Sequence, residues 1–142
     1  MEKPTMTEAQ ALARVEQLIN ETVSALRPKP RLEVDPTSLR NGPCGNSVDS
    51  GSKGRIIVGR NYYLREIPKD QINAVALQVR EYWKQRGYVI EGVSKTGKTI
   101  AARSTPDDFL LALDAVGDDG LGLGASSICV WPNGTPEPTS NP

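Results

Sequence analysis

The 142-residue sequence predicts an α+β domain, an antiparallel sheet of about five strands with two helices packed on one face. Three observations predict it. Two stretches repeat apolar residues at spacings of three and four, several others alternate or run in β-branched residues, and the later strand-like runs are joined by short turns, which make neighbours antiparallel.

Thr7-Glu-Ala-Gln10 fits the capping box, in which an N-cap hydroxyl and an amide three residues on satisfy each other's backbone N–H groups. A helix is expected from there. Leu12, Val15, Leu18, Ile19, Val23 and Leu26 form its apolar stripe, Arg14, Glu16, Glu21 and Arg27 stay outside it, and Pro28 and Pro30 stop it. Arg31 to Asp35 alternates like a short strand. The fourteen residues from Asn41 to Gly54 are Gly, Asn, Asp and Ser chemistry, which favours turns and offers little to a core. Arg55 to Ile67 carries the strongest strand signal, with Gly59 an expected bulge.

From Pro68 the period becomes helical: Ile72, Val75, Val79, Tyr82 and Trp83 share a face, and Gly87 suits the position just past the helix end. A four-stranded meander follows, with strands expected over 88–94, 99–103, 109–115 and 121–131. In the last of these Leu121, Leu123, Ala125, Cys129 and Trp131 are expected on one face, while Gly122 and Gly124 leave the other nearly bare. Residues 1–6 and the Pro-rich stretch 132–142 read as disordered ends flanking a single domain over 7–131. No window approaches the roughly 18 apolar residues of a membrane span, and the polar start lacks the apolar core of a signal peptide.

Composition removes whole classes of function. The 17 Lys+Arg balance the 17 Asp+Glu, so net charge is zero, and nucleic acid is not the expected partner. There is no histidine, so Ser-His-Asp or Cys-His catalysis, His-ligated zinc and histidine pH sensing have no imidazole to use. The charge is unevenly placed: from Arg80 to Arg103 there are six basic and two acidic residues, and beyond Arg103 six acidic and none basic.

Gly92-Val-Ser-Lys-Thr-Gly-Lys-Thr99 matches the Walker A pattern, and Phe109 to Asp114 resembles a Walker B strand. A phosphate-binding loop must open a helix at its Lys-Thr end, because the backbone N–H groups that hold phosphate converge there. Here the β-branched Thr99 and Ile100 favour a strand, and Pro106 follows too soon for a helix and its crossover. The segment 92–99 is therefore expected to be a hairpin tip with Lys95, Gly97 and Lys98 in solvent, and a P-loop nucleotide binder is the remote alternative. Asp107-Asp108 and Asp118-Asp119 sit beside Pro or Gly and read as solvated turns rather than acid/base pairs. No cofactor, metal or catalytic residue is expected.

Two cysteines in an intracellular protein are most often unrelated thiols. Position favours a bridge here: Cys44 lies in a loop with few apolar anchors, and Cys129 lies on the last expected strand. Joining them closes about 85 residues, a stabilisation of about 4 kcal/mol on the chain-entropy estimate, and implies an oxidising compartment. Tyr62 and Tyr63 are consecutive on a strand and must point to opposite faces, so the expected binding surface is an exposed tyrosine beside Gly122 and Gly124.

Pro43-Cys44-Gly45, the strand Tyr62-Tyr-Leu-Arg65, the helix end from Val79 to Tyr88 and Ser126-Ser-Ile-Cys-Val-Trp-Pro132 together resemble small exported actinobacterial lipoproteins of the LppA-like kind. The resemblance covers about residues 7–136 and is one of layout. It implies a lipid-anchored domain on the outer face of the membrane, with one disulfide and no established enzyme activity. No lipobox cysteine precedes Glu2, so residues 1–6 stand where the anchor and part of a linker would be. The expected function is a non-catalytic, extracytoplasmic binding or adaptor domain, anchored or secreted, monomeric, with an unknown protein or envelope component as partner. A small secreted inhibitor or immunity-type protein is the alternative.

Overall fold

The computed structural model describes residues 4–39, 41–44 and 54–136. Helix α1 spans Glu8–Ser24 and opens on the capping box that its sequence predicts: Gln10 N–H donates to Thr7 Oγ1 at 3.0 Å, and Thr7 N–H donates to Gln10 Oε1 at 2.9 Å. Its buried residues are Ala11, Val15, Leu18, Ile19, Thr22 and Val23, the predicted stripe with Leu12 at its half-buried margin. Past its end, the Gln78 side chain accepts from Arg27 N–H at 2.7 Å and donates to Arg27 O at 2.8 Å, which ties the descending chain to the second helix.

Strand β1 (Arg31–Val34) leads through a turn at Pro36–Ser38 to a two-residue pair, β2 (Gly42–Pro43) and β3 (Ile56–Ile57). Strand β4 (Gly59–Arg65) follows. Helix α2 (Ile72–Gln85) begins after a 3-10 turn at Lys69–Gln71, one turn later than Pro68 alone suggests. It ends as predicted at Gly87, which takes φ +80°. Gly87 N–H donates to Lys84 O and Tyr88 N–H to Trp83 O, the paired bonds that close a helix C-terminus around a left-handed residue.

Strands β5 (Val89–Val93), β6 (Ile100–Arg103), β7 (Leu110–Val116) and β8 (Gly120–Ser126) form the predicted meander. Among the described residues the main sheet has six strands, all antiparallel, in the order β1-β4-β8-β7-β6-β5. Both helices pack on one face. That side holds the core, in which Trp83, Phe109, Leu18, Leu111, Leu113, Leu121 and Leu123 are almost wholly excluded from solvent. Trp83 Nε1 donates to Thr22 Oγ1 at 3.0 Å, and that hydroxyl donates to Leu18 O at 2.8 Å, so the buried indole N–H and the Thr22 hydroxyl are both satisfied.

Three expectations need correction. The long strand over 55–67 is broken at Val58, which is fully buried: β3 belongs to the small sheet and β4 to the large one, so Gly59 marks a change of sheet, not a bulge. The irregular register lies instead between Ile90 and Gly92. The last strand stops at Ser126; Val130 bridges back to Ile56, so Cys129 and Trp131 belong to a separate segment that seals the small sheet. Both ends are also tied to the domain further out than composition implies. Thr5 N–H donates to Gly134 O, Glu8 N–H to Pro132 O, and Trp131 N–H to Thr5 Oγ1, which places 5–7 beside 131–134. Residues 1–3 and 137–142 of the expected tails lie outside the described residues. Among the described residues no helix is long and apolar enough to cross a membrane.

Candidate binding face

Alternation along the strands sends every second side chain away from the helices. On β4 these are Gly59, Asn61, Tyr63 and Arg65; on β8 they are Gly120, Gly122, Gly124 and Ser126; on β7 they are Leu110, Ala112, Asp114 and Val116. The two tyrosines separate as their adjacency requires. Tyr62 faces the helices, where its hydroxyl donates to both carboxylate oxygens of Glu16 at 2.7 and 2.8 Å; burial and the adjoining carboxylate push its phenol up to about 12. Tyr62 is therefore a structural tie between sheet and α1. Tyr63 takes the open face, half-buried, with the Arg65 guanidinium 4.7 Å above its ring. Arg65 Nε in turn donates to Glu33 Oε1 at 2.7 Å.

Gly122 is the direct cross-strand partner of Tyr63 on one side and of Asp114 on the other. A Cβ built there would meet Val116 Cγ2 at 3.2 Å. The bare backbone at Gly122 thus floors a pocket of about 140 Å³, walled by Asp35, Asn61, Tyr63, Asp114 and Val116. Gly124 serves differently. Its absent side chain is replaced by Asn61, whose Oδ1 lies 1.9 Å from where a Cβ would sit, so the amide folds flat over the neighbouring strand. The expected surface of Tyr63 and Gly122 is therefore brought together, Gly124 lies under its rim, and Tyr62 is turned away. Asp35 and Asp114 had no signal in the sequence: they border one pocket because β1 and β7 flank the β4–β8 pair.

Cys44 and Cys129 come to disulfide distance and are bridged, their Cα atoms 5.5 Å apart across 85 residues. The bridge fastens β2 to the segment that seals the small sheet. Beside it Cys44 N–H donates to Arg55 O at 3.0 Å, and the Arg55 guanidinium lies 5.8 Å from the centre of the Trp131 ring. Neither cysteine lines the Tyr63 pocket.

The Walker-like segment is a hairpin tip. Gly92 and Val93 end β5, Ser94 N–H donates to Thr99 O at 2.9 Å to close the turn, and β6 starts at Ile100. No helix begins at Lys98-Thr99, so no set of helix N–H groups converges there. The turn at 117–119, with its acidic pair, lies at the same end of the sheet, so the basic and acidic segments of the sequence meet side by side rather than at opposite poles. Asp108 has φ +65° in its turn. Asp107 is not the solvated carboxylate that its turn sequence suggests: it accepts from Arg14 Nε at 2.6 Å and from Ser104 Oγ at 2.5 Å. Burial is the largest single influence and opposes its ionisation, but the hydrogen bonds from Arg14 and Ser104, together with the Arg14 charge and a backbone hydrogen bond, outweigh it and hold the carboxyl below the usual range.

No family model matches the chain, and neither a curated protein nor a solved structure is significantly similar to it.

Proposed function

We propose that this chain is a non-catalytic, extracytoplasmic binding or adaptor domain that engages its partner through the helix-free face of the sheet. The observation that carries the reading is the pocket on that face, where a half-buried aromatic ring stands beside a glycine floor. Aromatic side chains supply contact area at low entropic cost, and a backbone-floored recess lets a partner approach closely. The Cys44–Cys129 bridge supports the compartment, since disulfides persist where the surroundings are oxidising. The resemblance of its sequence layout to exported lipoproteins supports an envelope location.

The test is capture from a cell-envelope extract with the wild-type domain and with Tyr63→Ala. Retention of a glycan, lipid or envelope protein by the wild type alone supports the proposal. A single stoichiometric enzyme held through an edge strand, unaffected by Tyr63→Ala, assigns the chain instead to the inhibitor class. For the compartment, a mass of unreduced native protein that matches two free thiols removes the argument for export.

A further inference from the structure

One recess on the open face has walls that are chemically unbalanced. The pocket at Tyr63 is bordered by two carboxylates, Asp35 and Asp114, and among the described residues no Lys or Arg lines it. Arg65, two residues from Tyr63, is held by Glu33, and Arg60, next to Asn61, donates to Asn41 Oδ1 at 2.9 Å. Asp35 uses one oxygen: Oδ1 accepts from Thr37 N–H and Thr37 Oγ1 at 3.0 and 2.7 Å, and Oδ2 has no hydrogen bond among the described residues. Asp114 is exposed, and its side chain has no hydrogen bond or ion pair among the described residues. Like charges that border one recess favour a cation between them, and a low-dielectric wall such as the Tyr63 ring strengthens the attraction. A volume of about 140 Å³ holds several waters at about 30 Å³ each, which is room for one charged head group and part of its stem.

A shallow trough leads away from this pocket. In register across the sheet, Gly124 lies opposite Ala112, Ala112 opposite Ala101, and Ala101 opposite Gly92. Asn61 closes the β4 end by folding over Gly124. The rows on either side are bulkier, with Tyr63 and Asp114 on one and Leu110, Arg103 and Val89 on the other. From β8 to β5 the trough spans about 14 Å at 4.8 Å per strand, the reach of about four residues of extended chain.

We propose that the open face docks an extended segment of a protein partner, which places one lysine or arginine side chain in the Asp35–Asp114 pocket and lays small residues along the Ala112–Ala101–Gly92 floor. This rests on the binding role proposed above and names the partner's chemistry. Charge complementarity selects the basic side chain. The small-residue floor admits a backbone that bulky side chains would hold off.

The experiment is an amide chemical-shift titration of the full chain with a blocked pentapeptide of one arginine and four alanines. Two further ligands accompany it, the same peptide with citrulline for arginine and the fragment ethylguanidinium. Support is a set of shifts at Asp114, Gly122 and Ala101, a citrulline peptide at least tenfold weaker, and the same loss in Asp114→Asn with the melting temperature unchanged. Equal binding of the arginine and citrulline peptides overturns the proposal. So does an equal loss in Asp118→Asn, which marks general screening, and so does ethylguanidinium binding as tightly as the peptide, which leaves the trough no part. If Ala101→Gln abolishes capture of the envelope partner while Asp114→Asn does not, the binding role stands and the basic side chain is wrong.

Discussion

Arg14 on the first helix and Asp107 in the turn before β7 are joined at 2.6 Å although 93 residues separate them, and each side chain is only about a fifth exposed (20% and 21%). Ser104 completes the contact: it is buried, donates to Asp107 and accepts Phe109 N–H at 3.0 Å. One carboxylate thus fixes the turn that delivers Phe109 to the core and ties it to α1.

The folded-state carboxyl of Asp107 is depressed, so its contribution is present above the unfolded value of about 3.9 and is lost as pH falls through the lower folded value. Asp107→Asn should cost about 1–3 kcal/mol at neutral pH, because Arg14 loses its partner in a partly buried site. Thermal melts of the two proteins from pH 7 to pH 2 should converge only at the acid end. A constant gap across that range would show that ionisation of Asp107 has no part in the contact.

Thr22→Val keeps the shape of the α1 stripe but removes the acceptor of Trp83 Nε1–H, which is buried with no solvent to replace it. The expected loss is about 1–3 kcal/mol in urea unfolding, whereas Thr22→Ser, which keeps the hydroxyl, should lose clearly less. Equal losses from the two variants would mean that packing, not the hydrogen bond, decides the site.

Reducing the Cys44–Cys129 bridge, or replacing both residues by serine, should lower stability by up to about 4 kcal/mol, the chain-entropy value for a loop of this length. The loss should be accompanied by faster amide exchange first at Cys44, Ile56 and Val130, the bonds that the bridge holds together, with the β7–β8 ladder still protected. Uniform loss of protection would place the bridge in the global fold rather than in the small sheet.

What the sequence makes legible is local. Thr7 and Gln10 announce α1, Gly87 announces the end of α2, and short turns force the β5–β8 meander, because each signal lies within a few residues of its effect. What it hides is nonlocal. Whether Ile56 and Tyr62 share a strand depends on Val130 competing for Ile56, and whether Asp107 is solvated depends on an arginine brought in from α1. The candidate face divides the same way. Adjacency guarantees that one tyrosine faces out, but only the pairing of β4 with β8 selects Tyr63 and puts Gly122 beside it.

Glycines within the sheet should respond to substitution according to what stands over them. A Cβ at Gly120 would lie 2.7 Å from the Val116 carbonyl oxygen, a backbone atom that cannot turn aside, so Gly120→Ala should destabilise by about 1–3 kcal/mol. Gly92 has nothing within 4 Å, and alanine there removes chain entropy from the unfolded state, so Gly92→Ala should be neutral or stabilising by up to about 1 kcal/mol. The second substitution also tests the Walker-like string, whose first glycine it replaces. In a hairpin tip neither Gly92→Ala nor Lys98→Ala should change the melting temperature with millimolar ATP and magnesium relative to its absence. A nucleotide-dependent rise in the wild type that Lys98→Ala abolishes would contradict the hairpin reading, since it requires phosphate to be held by a turn with no helix behind it.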